Sequence, residues 1–100
     1  MPAVAPKGCI CTGHDCFPPR KSIEGSSNVF VNGIPVHRQG DAWESHTCMC
    51  DEVPHGSHGS VLGGGSGKVF VNGKPIGRIG DNVACGGNIV AGCSSNVFAG

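Results

Sequence analysis

Short apolar clusters, each closed by glycine, recur along this chain at a spacing of forty residues. Residues 28–41 read NVFVNGIPVHRQGD and residues 68–81 read KVFVNGKPIGRIGD. Val-Phe-Val runs into Asn-Gly in both, followed by proline, arginine, glycine and aspartate at the same offsets. Branched and aromatic residues ahead of Asn-Gly predict a short strand entering a tight hairpin turn, because asparagine and glycine both tolerate positive φ. Pro35 and Pro75 fall where a strand starts or lies at a sheet edge. The motif restarts at residues 96–99 (NVFA), and the segment from Pro2 to Gly8 matches those starting at Pro35 and Pro75 to within one residue. We therefore expect a single domain over 1–100, with units near 28–41, 68–81 and 94–100 combined with 2–8, the two termini completing the third.

Eighteen glycines and seven prolines interrupt nearly every window that would sustain a helix, so the fold class is all-β, with three short hairpin repeats related by a pseudo-threefold axis. Alternation along a strand puts Phe30, Phe70 and Phe98 on one face and the flanking valines on the other. The reading favours the phenylalanines around a common axis, with the valines as the alternative occupants. With five aromatics in 100 residues the core is thin, and domains of this kind generally need a disulfide or metal staple.

Formal net charge is zero with histidine neutral, and 14% of residues are charged, which excludes the basic footprint of a nucleic-acid binder. No apolar run is long enough to span a bilayer. The N-terminal MPAVAPKGCICTG shows no basic region followed by an apolar stretch, so synthesis in the cytoplasm without a cleavable signal is expected.

The staple is read in seven cysteines, at 9, 11, 16, 48, 50, 85 and 93, and five histidines, at 14, 37, 46, 55 and 58. An odd cysteine count argues against a disulfide framework alone. Loops expected at 9–25, 42–65 and 82–95 hold all of these except His37, and pseudo-threefold symmetry would bring the three loops to one tip. A structural zinc takes four Cys or His ligands at ~2.0 to 2.3 Å and contributes on the order of 10 kcal/mol at neutral pH. Spacing alone does not select the four, since no C-x₂-C pair is present. Cys9 with Cys11, and Cys48 with Cys50, share a face if extended and also fit as small core fillers, as does Cys93. A second metal, or a bridge from Cys9 or Cys11 to Cys48 or Cys50 after export, is the alternative. His37 reads as a surface residue, Trp43 as a cover over the core beneath the second loop, and Arg38–Asp41 and Arg78–Asp81 as exposed pairs of ~0 to 1 kcal/mol. No acid forms an H-E-x-x-H pattern, and four protein ligands would close the site, so the chain is not read as an enzyme.

The repeated Val-Phe-Val-Asn-Gly-x-Pro-x-x-Arg-x-Gly-Asp unit resembles the PAAR-repeat family. Pro-Val-His-Arg at 35–38 and Pro-Ile-Gly-Arg at 75–78 fall where that family has Pro-Ala-Ala-Arg; both copies depart from Ala-Ala, and the N-terminal copy lacks the arginine. The resemblance implies a small cone whose broad face sits on the blunt end of a trimeric β-helical spike. That spike is the VgrG protein of type VI secretion or the hub spike of a contractile phage tail. One copy per trimer would cap and sharpen the membrane-piercing needle, touch the target membrane transiently, and be delivered outside the cell. It also implies one zinc ion at the sharp end: His14, His58 and Cys85 match the family's ligand positions, and His46 is the remaining candidate, with Cys48 and His55 as substitutes. Many members carry toxin extensions, and no effector extension is read here. An adaptor that recruits effector cargo to the spike is the alternative function, and a zinc-dependent hydrolase a more distant one.

Overall fold

Ser26, Ser66 and Ser94 start three equivalent turns. Ser26 Oγ accepts the amides of Asn28 (3.2 Å) and Val29 (3.0 Å), Ser66 Oγ those of Lys68 (3.0 Å) and Val69 (2.9 Å), and Ser94 Oγ those of Asn96 (3.2 Å) and Val97 (2.9 Å). Serine suits this role because its short hydroxyl reaches backbone amides two and three residues on. The computed structural model describes residues 1–13, 19–50, 53–84 and 86–100, the side chains of 46–50 and 53–58 excepted. The described residues contain eight strands and no helix.

Two tight hairpins follow the first two serine turns. β2 (Phe30–Val31) pairs with β3 (Ile34–Pro35) across Asn32 (φ 52°) and Gly33 (φ 79°). β6 (Phe70–Val71) pairs with β7 (Lys74–Pro75) across Asn72 (φ 55°) and Gly73 (φ 78°). Positive φ at both central residues is the geometry that Asn-Gly supplies at least cost. At the third position the two ends of the chain meet: Val4 N donates to Val97 O (2.9 Å) and Ala99 N to Pro2 O (3.0 Å). The Val4–Val97 bond repeats Val36 N to Val29 O (3.0 Å) and Ile76 N to Val69 O (3.0 Å).

Closed cycles of backbone hydrogen bonds join these parts. Ala5 N donates to Gly77 O (2.9 Å), Gly77 N to His37 O (2.8 Å), and His37 N back to Ala5 O (2.9 Å). A second cycle runs from Lys7 N to Pro35 O (2.7 Å), Gln39 N to Pro75 O (2.9 Å) and Ile79 N to Ala3 O (2.9 Å). The cycles set Ala3, not Pro2, beside Pro35 and Pro75, which absorbs the one-residue mismatch of the N-terminal copy. Gly8, Gly40 and Gly80 then coincide, with φ of 94°, 89° and 90°.

The core falls into two clusters. One holds Val4, Val31, Val36, Val71, Ile76 and Ala99; the other holds Ala5, Cys9, Cys11, Trp43, Leu62, Val83 and Ile89. The phenylalanines are not in either. Phe30, Phe70 and Phe98 are 55%, 56% and 49% exposed, while the residues after them, Val31, Val71 and Ala99, are buried. Simple alternation fails because Val29 and Val69 are still in the serine turn: the strands begin only at Phe30 and Phe70.

The segment expected as a second loop is instead a long hairpin. β4 (Ala42–Cys50) pairs antiparallel with β5 (Val53–Val61). Its nine-residue strands span roughly 26 to 30 Å, which exceeds the short dimensions of a molecule measuring 42 × 23 × 23 Å. Sparse apolar residues, Pro54, Gly56 and Gly59, and two register irregularities hide it from periodicity. The remaining pair is β1 (Ile10–Cys11) with β8 (Ile89–Ala91), also antiparallel.

Candidate metal centre

His14 and Cys85 lie outside the described residues, and of His46 and His58 the backbone alone is described. That backbone is informative, because His46 of β4 and His58 of β5 are register partners in the long hairpin. Directly opposed residues in an antiparallel pair have Cα atoms about 4.5 to 5.5 Å apart. The described neighbours of the other two positions lie against each other and against the end of β5. Ala84 N donates to Val61 O at 2.9 Å, joining the residue before Cys85 to the end of β5. Thr12 N donates to Asn88 O (2.9 Å), and Asn88 N returns to Thr12 Oγ1 (3.1 Å). A Cβ on Gly87 would lie 2.8 Å from Gly13 O, so the chain after Cys85 passes against the chain before His14 at a distance only glycine allows. The substitutes Cys48 and His55 have undescribed side chains. Among the described residues, no group of three or more His, Cys, Asp or Glu could hold a metal.

Three described cysteines, Cys9, Cys11 and Cys93, are free thiols. Cys9 and Cys11 are fully buried, which agrees with their reading as core fillers, and Cys93 packs half-buried against the same cluster. Burial pushes the Cys9 thiol up to about 12, against the opposing hydrogen bond with Ser22 Oγ at 3.3 Å. Burial, then the Asp81 charge, pushes Cys93 up to about 11. Both are neutral at physiological pH and pack as small apolar groups.

Two expectations are corrected. His37 is not a surface residue but is 0% exposed: its amide and carbonyl belong to the backbone cycle, its Nδ1 lies 2.7 Å from Glu24 O, and its ring meets Trp43 edge-on at 5.4 Å. Trp43 is buried in the core, as expected. The arginine–aspartate pairs form, but they are not open surface pairs. Arg38 Nε and Nη2 reach both oxygens of Asp41, at 2.8 and 2.9 Å, and Asp41 is fully buried. Arg78 grips Asp81 likewise at 3.1 and 3.0 Å, with slightly more exposure. The spacing showed the pairing; the burial comes from neighbouring units that the spacing does not display.

Cyclic backbone closure around one chain, with histidine- and cysteine-bearing segments flanked by residues that interlock, defines a pseudo-threefold all-β domain suited to a structural role. A family model, the PAAR motif, matches residues 12–91, and the chain belongs to that family. This is a structural spike-tip family of secretion and phage machinery, not an enzyme family, and its members generally bind metal. No curated protein matches the sequence. Among the described residues, no helix is long and apolar enough to cross a membrane.

Proposed function

We propose that this chain caps the blunt end of a trimeric β-helical spike, one copy per trimer, and forms the point that meets the target membrane. The observation that carries the reading is a threefold repetition of exposed apolar pairs. Val29 and Phe30 are 36% and 55% exposed, Val69 and Phe70 37% and 56%, and Val97 and Phe98 37% and 49%. One trimer presents the same surface three times around its axis. A single chain offering three near-identical apolar patches in a backbone-closed ring can meet all three at once. Apolar side chains left outside so thin a core are what an interface uses. Exposed VgrG-type or phage-hub strand ends are the matching chemistry.

At the opposite pole of this reading, His14, His46, His58 and Cys85 hold one zinc ion. Three imidazoles and a thiolate suit tetrahedral zinc, and the opposed backbone positions of His46 and His58 are compatible with two ligands from one hairpin. When bound, the ion supplies a cross-link between chain segments and no open position for chemistry. The test is native mass measurement of the complex with a trimeric spike protein, with metal content of the same sample. One chain and one zinc per trimer are expected. Three chains per trimer would overturn the capping geometry, and a zinc content unchanged by His14→Ala and Cys85→Ser would overturn the ligand set.

A further inference from the structure

The unit built from both chain ends departs from the other two in a concerted way. In the first full unit, Arg38 Nη2 spans Asp41 Oδ1 (2.9 Å) and the carbonyl of Gly25 (3.5 Å). In the second, Arg78 Nη2 spans Asp81 Oδ1 (3.0 Å) and the carbonyl of Gly65 (3.3 Å). The equivalent positions in the third unit follow from its hydrogen bonds. Cys9 N donates to Pro6 O as Asp41 N does to Arg38 O and Asp81 N to Arg78 O, so Pro6 and Cys9 stand for arginine and aspartate. Ser94 aligns with Ser26 and Ser66, so Cys93 stands for Gly25 and Gly65. Where two units bridge their ends through a guanidinium, the third has no arginine and a cysteine at each end of the gap.

The position of Cys93 is itself the second departure. A Cβ on Gly25 would lie 2.9 Å from Pro35 Cβ, and one on Gly65 2.8 Å from Pro75 Cβ. The third unit has Ala3 where those prolines stand and carries a Cβ, that of Cys93, where the other two have glycine. Two contacts confine Cys93 near Cys9. The antiparallel β1–β8 ladder pairs Ile10 with Ala91 and lays residue 92 on residue 9: a Cβ on Gly92 would be 3.1 Å from Cys9 Cα. Ser94 N is bonded to Val4 O at 2.9 Å. Cys11 is placed differently, opposite Ile89, with its sulfur accepting the Gly13 amide at 3.4 Å.

We propose that Cys9 and Cys93 are a redox pair that closes to a disulfide once the protein meets an oxidising compartment. The bond covalently joins the two chain ends that share one unit. The co-reactant is a small or protein disulfide. The half-exposed Cys93 sulfur attacks it, forming a mixed disulfide and releasing one thiol; the Cys9 sulfur then attacks Cys93 and releases the second. Two cysteine thiols are oxidised, the reagent disulfide is reduced to two thiols, and the cysteines' two protons go to those thiols. The cross-linked positions are eighty-four residues apart, so closure restricts the unfolded chain strongly.

The test treats the reduced full-length protein with oxidised glutathione, then maps its peptides by mass spectrometry without reduction and records its melting temperature. Expected are a linked peptide pair containing Cys9 and Cys93, lighter by two hydrogens, and a Tm raised by about 10 °C or more, both reversed by reductant. Cys93→Ser, at a half-exposed position, should fold and show neither. A stable glutathione adduct on Cys93, a bridge from Cys93 to any other cysteine, or a linked protein that melts like the reduced one would overturn the proposal.

Discussion

His37 carries the most consequential departure of any single residue from its apparent type. Its equivalents in the backbone cycle are Ala5 and Gly77, so the ring is the one large side chain attached to that cycle. With Nδ1–H donated to Glu24 O, the buried Nε2 lone pair has no partner among the described residues, and neither does Trp43 Nε1 beside it. Burial lowers the histidine's affinity for a proton, and Arg38 adds to that effect, while the Glu24 carbonyl and the charges of Asp41 and Glu24 oppose it. The folded state therefore holds the ring neutral at pH values where the unfolded chain, titrating near 6.5, takes up a proton. This contribution to stability is complete above the unfolded value. It declines as pH falls below it, by up to about 1.4 kcal/mol per pH unit, and levels off below the depressed folded value. Chemical denaturation between pH 7.5 and 5 should show that slope, and His37→Asn should flatten it even though the other histidines remain. An equal slope in both proteins would show that His37 does not titrate on unfolding. Nothing local in Pro-Val-His-Arg reveals this burial, because the groups that meet the ring come from positions 24 and 43, and those that hold its backbone from positions 5 and 77.

At the level of elements, each unit is a serine turn, a hairpin and a return segment packed back on the turn. The return segment fixes the glycine before the serine. A Cβ on Gly65 would meet Pro75 Cβ at 2.8 Å and Ile76 O at 2.9 Å, atoms of a return segment that backbone bonds at Pro75 O and Gly77 hold in place. Two residues on, a Cβ at Gly67 meets nothing within 4 Å. Gly65→Ala should cost about 1 to 3 kcal/mol by overpacking, whereas Gly67→Ala should change stability by less than about 0.5 kcal/mol. Urea melts of the two variants decide it, and equal effects would mean the return segment yields freely. The hairpins β2–β3 and β6–β7 were legible because Asn-Gly demands a specific pair of dihedrals, a purely local requirement. β4–β5 was not, since its register slips twice and its middle pairs, His46 with His58 and Thr47 with Ser57, are polar, which breaks any apolar alternation. Nothing in the run Gly63-Gly64-Gly65 marks residue 65 apart, and only the packed proline distinguishes it. For the candidate metal positions, residue type supplied a pool of cysteines and histidines, the family resemblance named four of them, and the hairpin register adds only that His46 and His58 are opposed.

For the whole molecule, the decisive feature is that its most conspicuous apolar side chains do not hold it together. Valines and an alanine one position further on fill the axis, so the three phenylalanines are free to serve another surface. Truncating an exposed side chain usually changes stability by no more than about 0.5 kcal/mol, whereas an aromatic anchor at an interface commonly accounts for 2 kcal/mol or more of binding, about thirtyfold in affinity. The two roles therefore separate cleanly in one experiment. Replacing Phe30, Phe70 and Phe98 together with serine should leave the melting temperature within a few degrees of the parent and abolish measurable capture by a trimeric spike protein. Single replacements at the three sites should each weaken capture to a similar degree, because the exposures match and the partner is threefold. A triple variant that unfolds would return the phenylalanines to the core. One that stays folded and still binds would place the docking surface elsewhere on the molecule. Unequal single effects, with one site dominant, would point to a partner that meets one side of the ring instead of its axis.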